Sequence, residues 1–203
     1  MRRNHVMGIL SSVIVAALLA TGAGQAAAAP AKPRVTVIGD SVQASFSYVP
    51  KAVARLRKGY DLKMDAYVCR RLILPSCTYN GVTPRTVLQT VQAKGRALGK
   101  VVVVNVGYNE SAGGYDINRV MKALRSAGVE QVIWVTLRER RSEYPGINTA
   151  IRRAATRWKG FTVADWNAVS SGRPWFGSDG LHLNSAGAMA LSGLLRQKVL
   201  AVT

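Results

Sequence analysis

Five short apolar runs rich in β-branched residues recur along the chain and predict buried strands. The runs do not alternate between apolar and polar positions, which is typical of strands covered on both faces. The run "VVVVNV" is the clearest example. The five predicted strands lie at residues 34–38, 61–68, 101–106, 131–136 and 161–166.

Helical patterns separate these strands, and Gly59, Gly128 and Gly160 lie near the ends of three of them, where a left-handed cap favours glycine. Five strand-then-helix units predict an α/β fold, a three-layer α/β/α sandwich with a five-stranded parallel sheet of the flavodoxin-like, doubly wound type. Ligands of such sheets bind beyond the carboxyl ends of the strands. The predicted helices cover residues 49–59, 83–99, 116–128, 147–160 and 184–202.

The N-terminal segment has the layout of a secretory signal peptide. Arg2 and Arg3 precede an uncharged stretch at 7–20 and then an alanine run. A membrane anchor is the alternative, but roughly 14 apolar residues fall short of the ~20 that span a bilayer. We therefore expect residues 1–29 to be a signal peptide and residues 30–203 to form one secreted, extracytoplasmic domain, most simply a monomer.

The chain is strongly basic, with a formal net charge of +18, of which Arg2 and Arg3 contribute two charges and the predicted mature chain the remaining +16. The basic residues are spread along predicted helices, where ordinary solvated faces are the favoured explanation. For an exported protein, an anionic cell-wall surface is the alternative partner that this charge suggests. We do not expect nucleic acid as a partner, because no basic motif is interleaved with aromatic residues.

Cys69 and Cys77 are the two cysteines of the chain. In an exported protein they are expected to form a disulfide bond, whereas a free thiol nucleophile is the alternative.

Polar residues follow three of the predicted strands. Ser41 lies in "GDSV", Asn109 in "GYNE", and Asp179 and His182 in "DGLH". The carboxyl ends of parallel strands meet at one edge, so these residues can form a nucleophile, a base and a group that orients the base. Taken singly, each has an alternative role as a turn, a helix cap or a surface residue.

His182 is the only histidine of the predicted mature chain, since His5 lies in the signal peptide. If the protein uses a histidine base, that base is His182.

These motifs resemble those of the SGNH hydrolases, also called GDSL esterases and lipases, over nearly the whole mature chain. "GDSV" matches the nucleophile block, "GYNE" is similar to the Gly-x-Asn-Asp block, and "DGLH" matches the Asp-x-x-His block. The resemblance implies a Ser41–His182–Asp179 triad. It also implies an oxyanion hole formed by the Ser41 backbone N–H and the Asn109 side-chain amide. No cofactor or metal ion is implied.

The chain departs from the family pattern after the second strand, where the family places a glycine whose N–H completes the oxyanion hole. Cys69 aligns with that glycine, and Gly81 is a second candidate. Cysteine adds a Cβ and makes left-handed dihedrals costly, so a disulfide with Cys77 could hold the loop in place of glycine's freedom. Glu110 stands where the family usually has aspartate.

The sequence thus predicts a secreted serine esterase acting on a small-molecule or glycan-linked ester with a short acyl group. An acyltransferase that moves acetyl groups to or from a cell-wall glycan would use the same triad. A catalytically silent, basic cell-wall-binding protein is the alternative outside enzymes. Substrate specificity is expected from Tyr108. The loop at 137–146 is a second candidate, but for its residues the favoured interpretation is an ordinary solvated loop.

Overall fold

The computed structural model describes residues 31–110 and 114–203, together with Met1, and confirms the predicted α/β fold. Its five strands form one sheet in which every neighbouring pair is parallel. The strand order is β2-β1-β3-β4-β5, the flavodoxin-like order. The strands are β1 (Arg34–Gly39), β2 (Asp61–Ala66), β3 (Val101–Asn105), β4 (Gln131–Val135) and β5 (Phe161–Ala164).

Seven α-helices accompany the sheet in the described part of the chain. Two of them have only four and five residues. They are too short to show a helical pattern of apolar residues, and the sequence did not predict them. The helix predicted from residue 147 begins at Tyr144, because Pro145 fits the first helical turn. The helices are α1 (Ser41–Ala44), α2 (Pro50–Arg57), α3 (Val87–Lys94), α4 (Ile117–Ser126), α5 (Tyr144–Arg157), α6 (Trp166–Ser170) and α7 (Ser185–Leu200).

Burial along the sheet follows strand position. β3 is buried at every residue, and β1 and β4 at every residue but the first, which confirms two-sided burial for the central strands. The edge strands β2 and β5 are partly exposed, because each has a neighbour on one side only. Helix α4 packs against α3 and α5, and α2 packs against α7, which gives the helical layers of the sandwich.

The strand order reverses between β1 and β3. The chain leaves β1 towards β2 at one edge and later returns to β3 on the other side of β1. Loops diverge at such a switch point and leave a crevice beyond the carboxyl ends of the strands. Ser41 directly follows β1 and the segment 107–110 follows β3, so both border this crevice.

The chain divides into the units Met1–Ala31 and Lys32–Thr203, and the fold above is that of the second. Apart from Met1, the predicted signal peptide at 1–29 lies outside the described residues and stays a prediction. Among the helices that the structure describes, none combines the length and the hydropathy needed to cross a membrane.

Candidate active site

Ser41 is the first residue of helix α1 and lies directly beyond β1. Its Oγ lies 2.9 Å from Nε2 of His182, which is 141 positions away in the sequence. The fold therefore brings the two residues of the expected nucleophile–base pair within hydrogen-bonding distance.

A tight turn presents Asp179 to the other side of the His182 ring. Asp179 Oδ2 lies 2.5 Å from His182 Nδ1. The second carboxylate oxygen accepts from the backbone N–H groups of Leu181 at 2.8 Å and His182 at 3.0 Å. Gly180 completes the turn with a φ of +65°, a left-handed conformation that suits glycine. The turn thus fixes the carboxylate and the imidazole relative to each other.

Asp179 is held in its ionised form although it lies at the surface. The hydrogen bond from His182 is the main cause that lowers the pKa of Asp179 to about 2; partial burial opposes it and the backbone donors assist. The side chains of His182 and Asp179 are 45% and 48% exposed, so the pair opens to solvent. An ionised carboxylate here favours the tautomer of His182 in which Nδ1 carries the proton and Nε2 can accept one.

Asp40 is a functional-site residue whose full role sequence reasoning missed. Its side chain is fully buried, one oxygen caps α1 by accepting from the Val42 N–H, and the other accepts from Gly107 N–H at 3.0 Å and Tyr108 N–H at 3.1 Å. Burial raises the pKa of Asp40 to about 6, although these donors lower it. The sequence did not predict this link between Asp40 and the loop after β3.

Asn109 lies against the loop that follows β2. Its Nδ2 donates to the Arg70 carbonyl at 3.2 Å, and its own carbonyl accepts from Arg71 Nε at 2.7 Å. One N–H of the Asn109 amide is engaged in this way, and the second can serve another acceptor. The structure therefore brings the two loops of the expected oxyanion hole together.

Cys69 adopts the conformation that the family's glycine would supply. Its φ is +71°, and a disulfide joins it to Cys77 with a Cα–Cα distance of 5.1 Å, which confirms the predicted pairing. Gly81 is also left-handed but lies in the exposed turn between Tyr79 and Val82. Because Cys69 directly precedes the residue that contacts Asn109, the geometry favours Cys69 over Gly81 as the second backbone donor.

Arg70 anchors this loop from inside the protein. The side chain is only 2% exposed, and its guanidinium donates to the Asp65 carboxylate at 2.7 Å and to the Arg85 carbonyl at 3.0 Å. A charged side chain is rarely buried without such partners. In the sequence, "CRR" reads as a basic surface segment, and nothing local distinguishes Arg70 from its neighbour.

Glu110 is a half-buried carboxylate next to Asn109. One oxygen accepts from the Leu72 N–H, whereas Oε2 is buried and has no hydrogen-bond partner among the described residues. Burial raises the pKa of Glu110 to about 7. Glu110 therefore ties the loop after β3 to the loop after β2, as Arg71 does from the other side.

Tyr108 does not lie where sequence reasoning expected it. The side chain is 3% exposed, its hydroxyl accepts from the Arg138 N–H at 2.8 Å, and its ring contacts the Tyr144 ring edge-on. This placement argues against direct contact with substrate. Tyr108 instead binds the backbone of the loop at 137–142 through its hydroxyl.

A serine, a histidine and an aspartate that are linked by hydrogen bonds in this order can carry out nucleophilic acyl transfer. The neighbouring N–H groups are available to bind an oxyanion. Within residues 31–110 and 114–203, no group of three or more His, Cys, Asp or Glu side chains is arranged to hold a metal ion.

The motifs after the strands resemble those of the SGNH hydrolases, and solved structures share the fold of this chain. A carbohydrate acetylesterase family member from Sinorhizobium meliloti aligns with 84% of this chain and 98% of its own, at a TM-score of 0.62 and 15% identity. A protein classed as an arylesterase from Agrobacterium tumefaciens aligns with 84% of this chain and 100% of its own, at a TM-score of 0.60 and 15% identity. At these identities the match concerns the fold.

Among curated proteins, the chain is similar to the O-acetyltransferase OatA of Staphylococcus aureus, with 29% identity over 160 residues. The match covers 78% of this chain but only 24% of the relative, so the chain spans about a quarter of its length. No protein-family model matches the chain.

Proposed function

We propose that this chain is a serine esterase of the SGNH type that cleaves carboxylic esters with short acyl groups through an acyl-enzyme. The observation that carries the proposal is the chain of contacts from Ser41 Oγ to His182 Nε2 at 2.9 Å and from His182 Nδ1 to Asp179 at 2.5 Å.

In the first half of the reaction, Ser41 Oγ attacks the ester carbonyl and its proton passes to His182 Nε2. The carbonyl oxygen becomes an oxyanion, which the backbone N–H groups of Ser41 and Cys69 and the Asn109 amide stabilise. The alcohol then leaves with the proton from His182. Asp179 remains ionised throughout and stabilises the imidazolium.

In the second half, His182 removes a proton from an acceptor hydroxyl, which attacks the acyl-enzyme and releases Ser41. If the acceptor is water, the protein is an esterase. If the acceptor is a glycan hydroxyl, it is an O-acetyltransferase. The similarity to OatA favours this second candidate specifically, since that relative is an O-acetyltransferase.

We place this reaction outside the cytoplasm. The predicted signal peptide and the disulfide between Cys69 and Cys77 support that location, because disulfides persist in oxidising compartments.

Labelling by a fluorophosphonate, which reacts with activated serines, tests the nucleophile. We expect the wild-type protein and Ser47→Ala to be labelled, because Ser47 is exposed and hydrogen-bonds only to the Ala44 carbonyl. Ser41→Ala and His182→Ala should not be labelled, and their kcat for an aryl acetate should fall by at least about 10⁴. Equal labelling of Ser41→Ala would exclude Ser41 as the nucleophile, and a wild-type protein that is not labelled would favour a silent binding protein.

A second measurement separates the two acceptors. Acetate release from an aryl acetate is compared with and without a soluble cell-wall glycan. Acetate in solution under both conditions supports the esterase, whereas acetyl groups found mainly on the glycan support the transferase.

A further inference from the structure

A cavity of about 300 Å³ lies beside the candidate triad. It shares His182 and Asp179 with the triad, and the loop after β4 forms its opposite wall. The lining residues are Arg140, Arg141, Tyr144, Asp179, Leu181 and His182.

Two arginines and one ionised carboxylate, that of Asp179, line the cavity, so its lining carries a net positive charge. Among the described residues, no carboxylate lies within 4.0 Å of Arg140 or Arg141. The one carboxylate in the cavity wall, Asp179, already accepts from His182 and from two backbone N–H groups.

The neighbouring acidic residues of the same loop are bonded to other groups. Glu139 Oε1 accepts from Asn148 Nδ2 at 2.9 Å, and Glu143 Oε2 bonds to the Ser142 hydroxyl at 3.4 Å. Neither glutamate lines the cavity. A charge-assisted hydrogen bond from a guanidinium to an anion is therefore left for a ligand to make.

The loop that carries Arg140 and Arg141 is bonded to the turn that carries Asp179 and His182. Arg138 Nη1 donates to the Gly180 carbonyl at 2.6 Å, and its guanidinium lies over the Phe176 ring, 3.7 Å from the ring centre. Arg140 lies directly over Gly180, since a Cβ built on Gly180 would be 3.0 Å from Arg140 Nη2. The guanidinium of Arg140 thus lies beside the turn that carries Asp179 and His182.

The position of the cavity identifies the half of the ester that it would bind. His182 gives its proton to the leaving oxygen, so the alcohol must leave beside His182. Cys69 and Asn109, the expected oxyanion donors, line no part of the cavity. The alcohol portion of the substrate is therefore the part that meets Arg140 and Arg141.

We propose that this cavity binds an anionic group, a carboxylate or a phosphate, on the alcohol portion of the ester, and that Arg140 and Arg141 determine this specificity. The inference rests on the proposed function, because it places the reacting ester at Ser41.

The test compares three acetate esters whose phenol leaving groups are alike except for charge: those of para-hydroxyphenylacetate, para-hydroxybenzyl phosphate and the neutral para-hydroxyphenylacetamide. We expect kcat/KM for one or both anionic esters to exceed that of the neutral ester by about tenfold, the size of a charge-assisted hydrogen bond. The double variant Arg140→Gln with Arg141→Gln should bring the ratio close to one. Arg153→Gln with Arg157→Gln, which removes the same charge from α5 away from this cavity, should keep it.

Preference for the carboxylate or for the phosphate ester supports the cavity and identifies the anion. Equal kcat/KM for all three esters, or a preference that survives the Arg140 and Arg141 substitutions, would overturn it.

If no ester is cleaved and Ser41 is not labelled, the proposed function fails, and equilibrium binding then tests the cavity alone. Titration of the wild-type protein and both double variants with para-hydroxyphenylacetate, para-hydroxybenzyl phosphate and para-hydroxyphenylacetamide needs no turnover. Tighter binding of an anionic phenol that depends on Arg140 and Arg141 supports the cavity; equal binding overturns it.

Discussion

At the scale of single residues, the proposed reaction has Asp179 act on the substrate only through His182. Replacing Asp179 by asparagine keeps its shape but removes the charge that stabilises the imidazolium and selects the tautomer. We expect Asp179→Asn to lower kcat for an aryl acetate by about 10⁴ with little change in KM. Steady-state kinetics at pH 7 measures both constants.

Asp61→Asn is the matched control for this prediction. Asp61 is a surface carboxylate on β2, and its pKa is lowered by hydrogen bonds from Lys63 and Arg34. The same chemical change there should leave kcat unaltered. A similar fall in kcat for both variants would show that Asp179 has no specific role.

Glu110 should make the stability of the protein depend on pH. Since burial raises the pKa of Glu110 from 4.5 to about 7, the folded protein retains a proton that the unfolded chain loses between these values. This contribution to the free energy of unfolding is fully present below pH 4.5 and is lost as the pH rises through 7. Glu110→Gln, which stays neutral, should therefore unfold at a higher urea concentration than the wild type at pH 8.

At pH 4 the two proteins should differ less, because Glu110 is then protonated in both states. Glu130→Gln is the control, since that carboxylate is exposed and pairs with Lys100 at the surface. A Glu110→Gln variant that is no more stable than the wild type at pH 8 would contradict the prediction.

The sequence allows the role of some site residues to be predicted and not that of others. Ser41, Asp179 and His182 stand in short motifs after predicted strands, so their convergence at one sheet edge could be predicted. The fully buried position of Arg70 could not, because its partner Asp65 lies within a predicted strand and Arg85 is remote in sequence. The burial of Tyr108 likewise depends on Arg138, which comes 30 positions later.

At the scale of elements, the loop after β2 places a left-handed cysteine where the related family has glycine. Removing the disulfide with an alanine at 69 leaves a residue that disfavours a φ of +71°, by about 1–2 kcal/mol. A glycine there accepts this conformation. We expect Cys69→Gly with Cys77→Ala to retain several-fold more kcat/KM for an aryl acetate than Cys69→Ala with Cys77→Ala.

Both variants lose the same covalent link, which a chain-entropy estimate values at about 2.5 kcal/mol, so each serves as the other's stability control. Reduction of the wild type should likewise lower activity before the protein unfolds. Equal activity of the two variants, matching the wild type, would show that the conformation of residue 69 does not matter for catalysis.

Element boundaries were predicted best where a pattern extended over several turns or a full strand. The central strand β3 was predicted to within one residue, because its valine run is continuous and glycine follows it. The 83–99 pattern instead contains α3 and a separate 3-10 turn, since Gly95 adopts a positive φ and ends the helix. The conformation of Gly95 thus determines where α3 ends, which the spacing of apolar residues could not predict.

At the scale of the whole molecule, the net charge of +18, of which the predicted mature chain carries +16, predicts retention on anionic polymers. We expect the mature protein to sediment with a phosphate-rich cell-wall polymer at low ionic strength and to be released at about 1 M salt, where the screening length is near 3 Å. A neutral glycan of similar size is the control.

Retention that is unchanged by salt, or equal on the neutral glycan, would contradict a charge-driven interaction. Since the charge is spread over many residues, the double variant Arg140→Gln with Arg141→Gln should weaken this retention only slightly. This result would distinguish retention by the whole basic surface from binding in the proposed cavity, where the same two substitutions should abolish the preference for anionic esters.

The carboxylate of Asp40 couples the motions of two loops at the candidate site. Because it holds amides from both the Ser41 loop and the loop after β3, neither loop can open alone without breaking bonds to a buried acceptor. The amide hydrogens of Val42, Gly107 and Tyr108 should then exchange with solvent together, at a rate set by cooperative opening. Substrate meets loops that are already ordered, and little of its binding energy is needed to arrange them.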